Sequence, residues 1–290
     1  MNSKATLIGS SAIMMWSLLA LFTSTTHGIP PFQLLFLTFS IAAGFGLLFI
    51  IIKNKNILKT FRLPIKVWVI GVGGLFGYHF FYFTALANAP VEDASLIAYL
   101  WPLLIVLLSS LTLGEKLHWF HITGAFSALF GALILLGGTG DFSFSAQYGF
   151  GYAMALISAL IWSTYSVLNR TISHVPTEAV AGFCIMTAIL SALSHFMIEQ
   201  WVVPSPWQWA AIVGLGIGPV GAAFYAWDFG TKHGNIRLLG VLSYAAPLLS
   251  TIILTVSGHA EFTWNLMLAC LLIAGGALLA SLDILKKRRL

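Results

Sequence analysis

The sequence predicts an all-α integral membrane protein: ten transmembrane helices in two inverted five-helix repeats, with both termini on the cytoplasmic side. Three observations carry that expectation. Of 290 residues, 59% are hydrophobic and only 8% charged, whereas a soluble domain carries about 25% charged residues. The apolar residues fall into ten stretches, each close to the roughly 20 residues a helix needs to cross a hydrocarbon core of about 30 Å. The chain also repeats itself. YHFFYFTALANAPVEDASLIAYLWP, from Tyr78 to Pro102, has a counterpart in FYAWDFGTKHGNIRLLGVLSYAAP, from Phe224 to Pro247. The offset that pairs Pro102 with Pro247 also pairs Tyr99 with Tyr244, Gly131 with Gly276 and Ala132 with Ala277. Trp16-Ser17 recurs as Trp162-Ser163, one residue out of that offset. Self-similarity at a fixed interval marks a duplication, here of about half the chain.

The first segment, residues 5–26, follows Lys4. It exceeds a signal-peptide h-region of about 7 to 15 residues and lacks a clear cleavage pattern, so it reads as a retained first span. Residues 32–52 are an almost unbroken apolar run. Residues 67–88 contain GVGGLFG from Gly71 and then the first aromatic stretch; 94–113 contain Pro102; 119–138 follow His118 and include His121. Residues 149–169 carry Trp162, Tyr165 and Asn169; 179–198 end near His195; 208–230 contain GLGIGPVG from Gly214; 238–257 contain Pro247; 263–282 precede a basic tail, KKRR from Lys286. Stretches this long are read as helices because a helix satisfies its own backbone hydrogen bonds in lipid. The pairs Gly73/Gly77 and Gly214/Gly218 have GxxxG spacing, expected to bring helix backbones together.

Basic residues collect on the cytoplasmic side of a membrane. With Lys4 inside, the inner positions receive Lys4; Lys53, Lys55, Lys59, Arg62 and Lys66; Lys116; Arg170; Lys232 and Arg237; and Lys286, Lys287, Arg288 and Arg289, which are all 14. The outer links instead carry Glu92, Asp93, Asp141, Glu199 and Glu261. A miscounted helix would throw later charges outside, so the ten-span count and the cytoplasmic termini support each other. The formal charge of +5 is therefore a topology signal, and no nucleic acid partner is expected. The tail has the same reading, with contact to lipid head groups as its companion. Five spans per half make the repeats inverted, with the boundary in the outer loop 138–148 and the repeats at 1–140 and 141–290. Inverted repeats build many secondary transporters, whose site lies near the midplane.

Tyr78 and His79 fall near the middle of the third segment, and Tyr82 shares their side of the helix. Trp16 and Trp101 are equally deep, with Tyr99 beside Trp101, whereas lipid-anchoring Trp and Tyr belong at the interfaces. Trp162, Tyr165 and Asn169 have the spacing of one helical face, Phe224 and Asp228 share another, and Ser243 and Tyr244 precede Pro247. These thirteen are the candidate substrate-binding residues. Pro102, Pro219 and Pro247, deep in spans, are candidate hinges, since proline frees a carbonyl one turn earlier. His79 is the one ionisable residue near a midplane. Asp228 sits closer to the cytoplasmic end beside Lys232, where a salt bridge or gate competes with proton carriage; His118, His121 and His195 read as interfacial. Cys184 and Cys270 read as packing residues. No metal-ligand spacing, phosphate loop or nucleophile–base pair occurs, so no metal, no cofactor and no enzyme activity are expected.

KATLIG from Lys4, YLWP from Tyr99, and HGN from His233 followed by Ser243, Tyr244 and Pro247 resemble the EamA-type exporters of the drug/metabolite transporter superfamily, and within it the aromatic amino acid exporter group. The resemblance spans almost the whole chain. It implies two EamA-type repeats, a central cavity lined mainly by helices one, three, four, six, eight and nine, and a bacterial inner-membrane location. It also implies export of amino acids, aromatic ones and other neutral ones, by alternating access; facilitated diffusion is the simpler coupling, and a monomer is the working expectation. The alternative is a multidrug or other small-metabolite exporter of the same superfamily, proton-coupled. That group generally has Asn where this chain has Asp228, which leaves selectivity and charge coupling open. A phosphate-bearing substrate would call for Arg or Lys in the cavity. A zwitterionic amino acid suits the residues better: its ammonium could meet freed carbonyls and the faces of Trp101 or Trp162, and its carboxylate Tyr hydroxyls, indole N–H groups or His79.

Overall fold

The computed structural model describes residues 2–113, 117–137, 145–256, 263–280 and 282, and every regular element among them is helical. Lys116, Asp141, Glu261, the basic tail and the expected repeat boundary lie outside the described residues. Ten apolar rods follow in order: α1 (Ser3–Thr25), α2 (Pro31–Ile52), α3 (Ile65–Asn88), α4 (Val91–Leu111), α5 (Trp119–Gly137), α6 (Ala146–Ile172), α7 (Ala179–Ile198), α8 (Pro206–His233), α9 (Ile236–Ile253) and α10 (Trp264–Ala280). Eight are long and apolar enough to cross a membrane by length and composition; α10 and the apolar stretch Trp119–Leu135 of α5 are shorter, and these two helices pack against each other. The chain is an all-α membrane protein. Its links gather two kinds of charge. One end of the bundle holds Lys53, Lys55, Lys59, Arg62 and Arg170, with Glu178 between Lys53 and Lys55, and the other holds Glu92, Asp93 and Glu199; they are called the basic and acidic ends.

The helix starts are written in the sequence. Asn2 caps α1 by accepting from the N–H groups of Lys4 and Ala5, Ser205 and Gln208 form a capping box on α8, and Asn235 caps α9, each satisfying donors that a helix leaves over. The N-terminus of α2 is capped from another helix. Glu199 accepts from the Phe32 and Gln33 N–H groups at 3.0 and 3.1 Å, placing a carboxylate at the positive end of the helix dipole. The same carboxylate holds His195 Nδ1 at 2.8 Å. His195 and His121 are buried within the protein, while both still lie near the ends of their helices, as does His118.

Five interruptions shape the middle of the bundle. Both α3 and α8 widen into a π turn, at Gly73–Gly77 and Gly218–Ala222. Both α4 and α9 break, at Tyr99–Leu100 and Ser243–Tyr244, just ahead of Pro102 and Pro247. Each proline thus enters the first turn of a new helical piece, where its missing N–H costs nothing. The Leu103 N–H, left over by the break in α4, donates to Tyr244 Oη at 3.0 Å. Tyr99 and Tyr244, paired by the repeat, face each other with ring centres 6.1 Å apart. The fifth break, at Ser17–Leu18 in α1, has no proline. Its counterpart Trp162-Ser163 lies in an unbroken helix.

Side-by-side packing pairs α2 with α7, α5 with α10, α1 with α8 and α3 with α6, and α4 packs mainly on α6 and less extensively on α9. Small residues permit the tightest crossings. A Cβ on Gly9 would lie 2.9 Å from Gly230 Cα, so α1 and α8 touch backbone to backbone; on Gly124 it would lie 2.5 Å from the Gly276 carbonyl of α10. The GxxxG expectation is corrected in part. Gly214 does seat Phe22, but Gly73 and Gly218 have nothing within 4 Å of a Cβ; they begin the π turns instead.

Candidate functional site

A cavity of about 330 Å³ occupies the centre of the bundle. Its walls come from α1, α3, α4, α6, α8 and α9, with Leu135 of α5 at the rim. The break in α1 places Trp16 inward, the π turn of α3 precedes Tyr78 and His79, the break in α4 presents Tyr99 and Trp101, and α6 contributes Trp162. The π turn of α8 supplies Pro219, then Phe224 one turn on; α9 adds Pro247, Ser250 and Thr251. No Lys, Arg, Asp or Glu lines the cavity among the described residues.

The floor is a cluster of indoles. Trp16 sits 5.8 Å from Trp162, 6.2 Å from Trp101 and 5.1 Å from Trp227, and Trp101 meets Trp162 and Trp227 edge-on at 6.2 and 5.9 Å. Edge-to-face pairs of this kind each contribute about 0.5–1.5 kcal/mol beyond area burial, so ring-to-ring packing holds much of the floor. The Trp16 Nε1–H donates to the Pro219 carbonyl at 3.0 Å, tying the α1 break to the α8 π turn. The Trp227 Nε1–H donates to Ser166 Oγ at 3.0 Å. His79 Nδ1 is 2.7 Å from the Leu75 carbonyl; a carbonyl only accepts, so the proton is on Nδ1 and Nε2 remains for other partners. Phe39 and Phe224 flank the ring at 5.4 and 6.1 Å.

Of the expected residues, Trp16, Tyr78, His79, Tyr99, Trp101, Trp162, Phe224, Pro219 and Pro247 come together here. Six candidates and one hinge do not line the cavity. Tyr82 stacks behind Tyr78 at 5.8 Å with its hydroxyl 3.3 Å from Ser95 Oγ. Tyr165 lies beneath Trp162 against Gly74. Ser243 donates back to the Leu239 carbonyl at 2.8 Å, and Tyr244 and Pro102 are buried at the α4 break. Asn169 and Asp228 are elsewhere for a simple reason: a shared face still advances 1.5 Å per residue, so Asn169 is about 10 Å further along α6 than Trp162. Trp227, Ser250 and Thr251 were missed. Trp227 lies three residues beyond Phe224, and Ser250 and Thr251 lie one turn beyond Pro247, so helical spacing alone could have found them.

Beyond the indole floor, toward the basic end, the space is filled by a polar plug. Lys232 Nζ lies 2.9 Å from the Asp228 carboxylate and donates to the Val175 carbonyl at 3.0 Å. Thr177 Oγ1 donates to Asp228 Oδ2 at 2.7 Å, and Asn169 Nδ2 to Asp228 Oδ1 at 3.1 Å and Thr231 Oγ1 at 2.9 Å. Asp228, Thr231 and Asn169 are fully buried and Lys232 nearly so. The Gly9–Gly230 crossing lies alongside.

Comparison with known proteins agrees in extent with these features. The model of the EamA-like transporter family matches residues 3–137 and again 149–282. The aromatic amino acid exporter YddG of Ancylobacter novellus is 54% identical over 282 residues, covering 97% of this chain and 98% of its own. The aromatic amino acid exporter YddG of Escherichia coli strain K12 is 26% identical, covering 96% and 97%. A crystal structure 53% identical in sequence superimposes with a TM-score of 0.94, covering 97% of this chain and 98% of that one.

Proposed function

The chain belongs to the EamA-like transporter family, and from that premise we propose that it exports neutral amino acids, aromatic ones foremost, across the bacterial inner membrane. The observation that carries this reading is the central cavity, walled by indole and phenol rings and free of fixed charge among its lining residues. Its volume falls in the range of about 300–1,000 Å³ usual for small-molecule sites. An aromatic side chain stacks on Trp101 and Trp162. The ammonium meets an indole face, a cation–π contact of about 2 kcal/mol when desolvated, and donates to His79 Nε2, which is an acceptor once the ring proton is on Nδ1; the carboxylate accepts from the hydroxyls of Tyr78 and Tyr99. No lysine or arginine is there to favour a phosphorylated substrate.

Topology in this proposal is ten spans, α5 and α10 included, with both termini and the basic end cytoplasmic and repeats at 1–140 and 141–290. The helix pairings support inverted repeats, because exchanging each helix for the one five places away gives pairs that also touch: α1–α8 becomes α6–α3, α4–α6 becomes α9–α1, and α2–α7, α4–α9 and α5–α10 map onto themselves. Transport is by alternating access. The cavity reaches the acidic end and the plug closes the basic end, an outward-facing arrangement; the reverse arrangement requires α1 and α8 to separate at Gly9 and Gly230 while the π turns and helix breaks bend. Among the described residues His79 is the one titratable side chain apart from tyrosines in the lining, so facilitated diffusion is the default and proton antiport would have to use it.

The test is uptake by the purified protein in liposomes, comparing labelled phenylalanine, alanine and glutamate with and without a pH gradient. Saturable uptake of phenylalanine above the other two, indifferent to the gradient, is the expected result. Uptake of lipophilic cations and of no amino acid would move the assignment to a drug exporter.

A further inference from the structure

A second cavity, of about 650 Å³, opens on the flank of the bundle at its basic end. It lies between α1, α2 and α8 and the link 173–178, outside the central site. Its composition changes along its length. The mouth holds Lys53, His174 and His233, while the depth is walled by Phe45, Phe49, Tyr225 and Phe229. Phe45 and Phe49 are about 40% exposed, so the groove is open sideways to the surrounding membrane. The one carboxylate in the lining among the described residues, Glu178, is engaged by Lys55 and approached by Lys53 at 4.0 Å, which leaves the mouth net positive.

The length of the groove identifies its occupant. From His233 at the mouth to Ala222 at the bottom, α8 rises about 16 Å at 1.5 Å per residue, and one leaflet of a hydrocarbon core of about 30 Å is about 15 Å deep. A soluble anion would meet the mouth and leave the apolar trough unused; a second protein copy would not match a trough one leaflet long with a cationic end. Basic pockets between membrane helices hold anionic lipid head groups. We propose that this groove binds one anionic phospholipid from the leaflet at the basic end, its phosphate at Lys53, His174 and His233 and one acyl chain along Phe45, Phe49 and Phe229. The seated lipid rests on Val175 and Thr177, which line the groove and also hold Lys232 and Asp228 of the plug, so it braces the closed end.

Native mass spectrometry of the full chain in mild detergent, titrated with phosphatidylglycerol or phosphatidylcholine of matched chains, tests this. Retention of a single phosphatidylglycerol in preference to phosphatidylcholine is expected. Lys53→Gln, an exposed change that leaves folding intact, should weaken that preference about fivefold, and Ala226→Phe, which fills the trough, should abolish retention. Lys59→Gln, on the same end but outside the groove, should change nothing. Equal retention of the two lipids, or phosphatidylglycerol binding untouched by Lys53→Gln, overturns the proposal. So does displacement of the lipid by millimolar inorganic phosphate, which would make the mouth a soluble-anion site.

Discussion

The two ends of the central space are built from opposite materials. Toward the acidic end it is open, lined by rings and hydroxyls, and uncharged; toward the basic end it is filled by an ion pair with every main contact made inside the protein. Both halves are buried in the same bundle, so the difference reflects task rather than depth. Rings offer area and weak, adjustable polar contact to a visitor that must leave again. A buried ion pair closes the other end in one geometry only, and in the proposed alternating-access cycle its charges would return to water, with their solvation restored, when that end opens. This is why a polar plug suits a reversible closure better than an apolar one, although a well-packed apolar substitute is often as stable or more so.

Four substitutions break or sharpen that contrast, in falling order of effect. Asp228→Ala leaves the Lys232 ammonium buried and unpaired and should cost about 3–5 kcal/mol of stability, read from thermal unfolding; adding Lys232→Met should recover most of it. Gly230→Ala pushes a methyl into Gly9 across the α1–α8 crossing and should cost about 1–3 kcal/mol, while Gly73→Ala, with open space around it and a regular helical backbone, should leave the unfolding midpoint almost unchanged. On the open side, Tyr78→Ala should lower amino acid uptake about tenfold, equivalent to about 1.4 kcal/mol, without lowering the midpoint; unaltered uptake in both Tyr78→Ala and Trp101→Ala would detach the cavity from transport. The smallest effect is at the basic rim. Burial pushes the Glu178 carboxyl up, but Lys55, its own backbone N–H and Lys53 together hold it below its ordinary value. Its contribution is therefore present at neutral pH and lost as pH falls through the lowered value. Exposed lysine partners limit it to about 0.5–1 kcal/mol, and Glu178→Gln should flatten the midpoint's decline below roughly pH 5.

What the sequence made legible was periodicity and depth. Helix positions, the Tyr99/Tyr244 pairing and seven of the cavity's aromatic and histidine residues follow from spacing and distance to a span's middle. What it hid was rotation and register between helices. Asn169 and Trp162 share a face of α6, yet one serves the plug and the other the floor, because axial distance decides which neighbours each meets. Trp227 shares a helical face with Phe224, but that spacing shows only a face; its place in the floor is fixed once α1, α4 and α6 bring Trp16, Trp101 and Trp162 against it. The GxxxG spacing of Gly73/Gly77 misled for a related reason: glycine also relaxes a helix into a π turn, and composition does not separate that from close packing.

The most direct test of the central account uses one cavity position. Ser250→Cys, in a chain with Cys184→Ser and Cys270→Ser, places a thiol in the cavity wall where a membrane-impermeant reagent can meet it. The account predicts labelling in intact cells, from the face at the acidic end, and slowing of that labelling by phenylalanine. Labelling only from the basic face, or at a rate phenylalanine does not change, would contradict it.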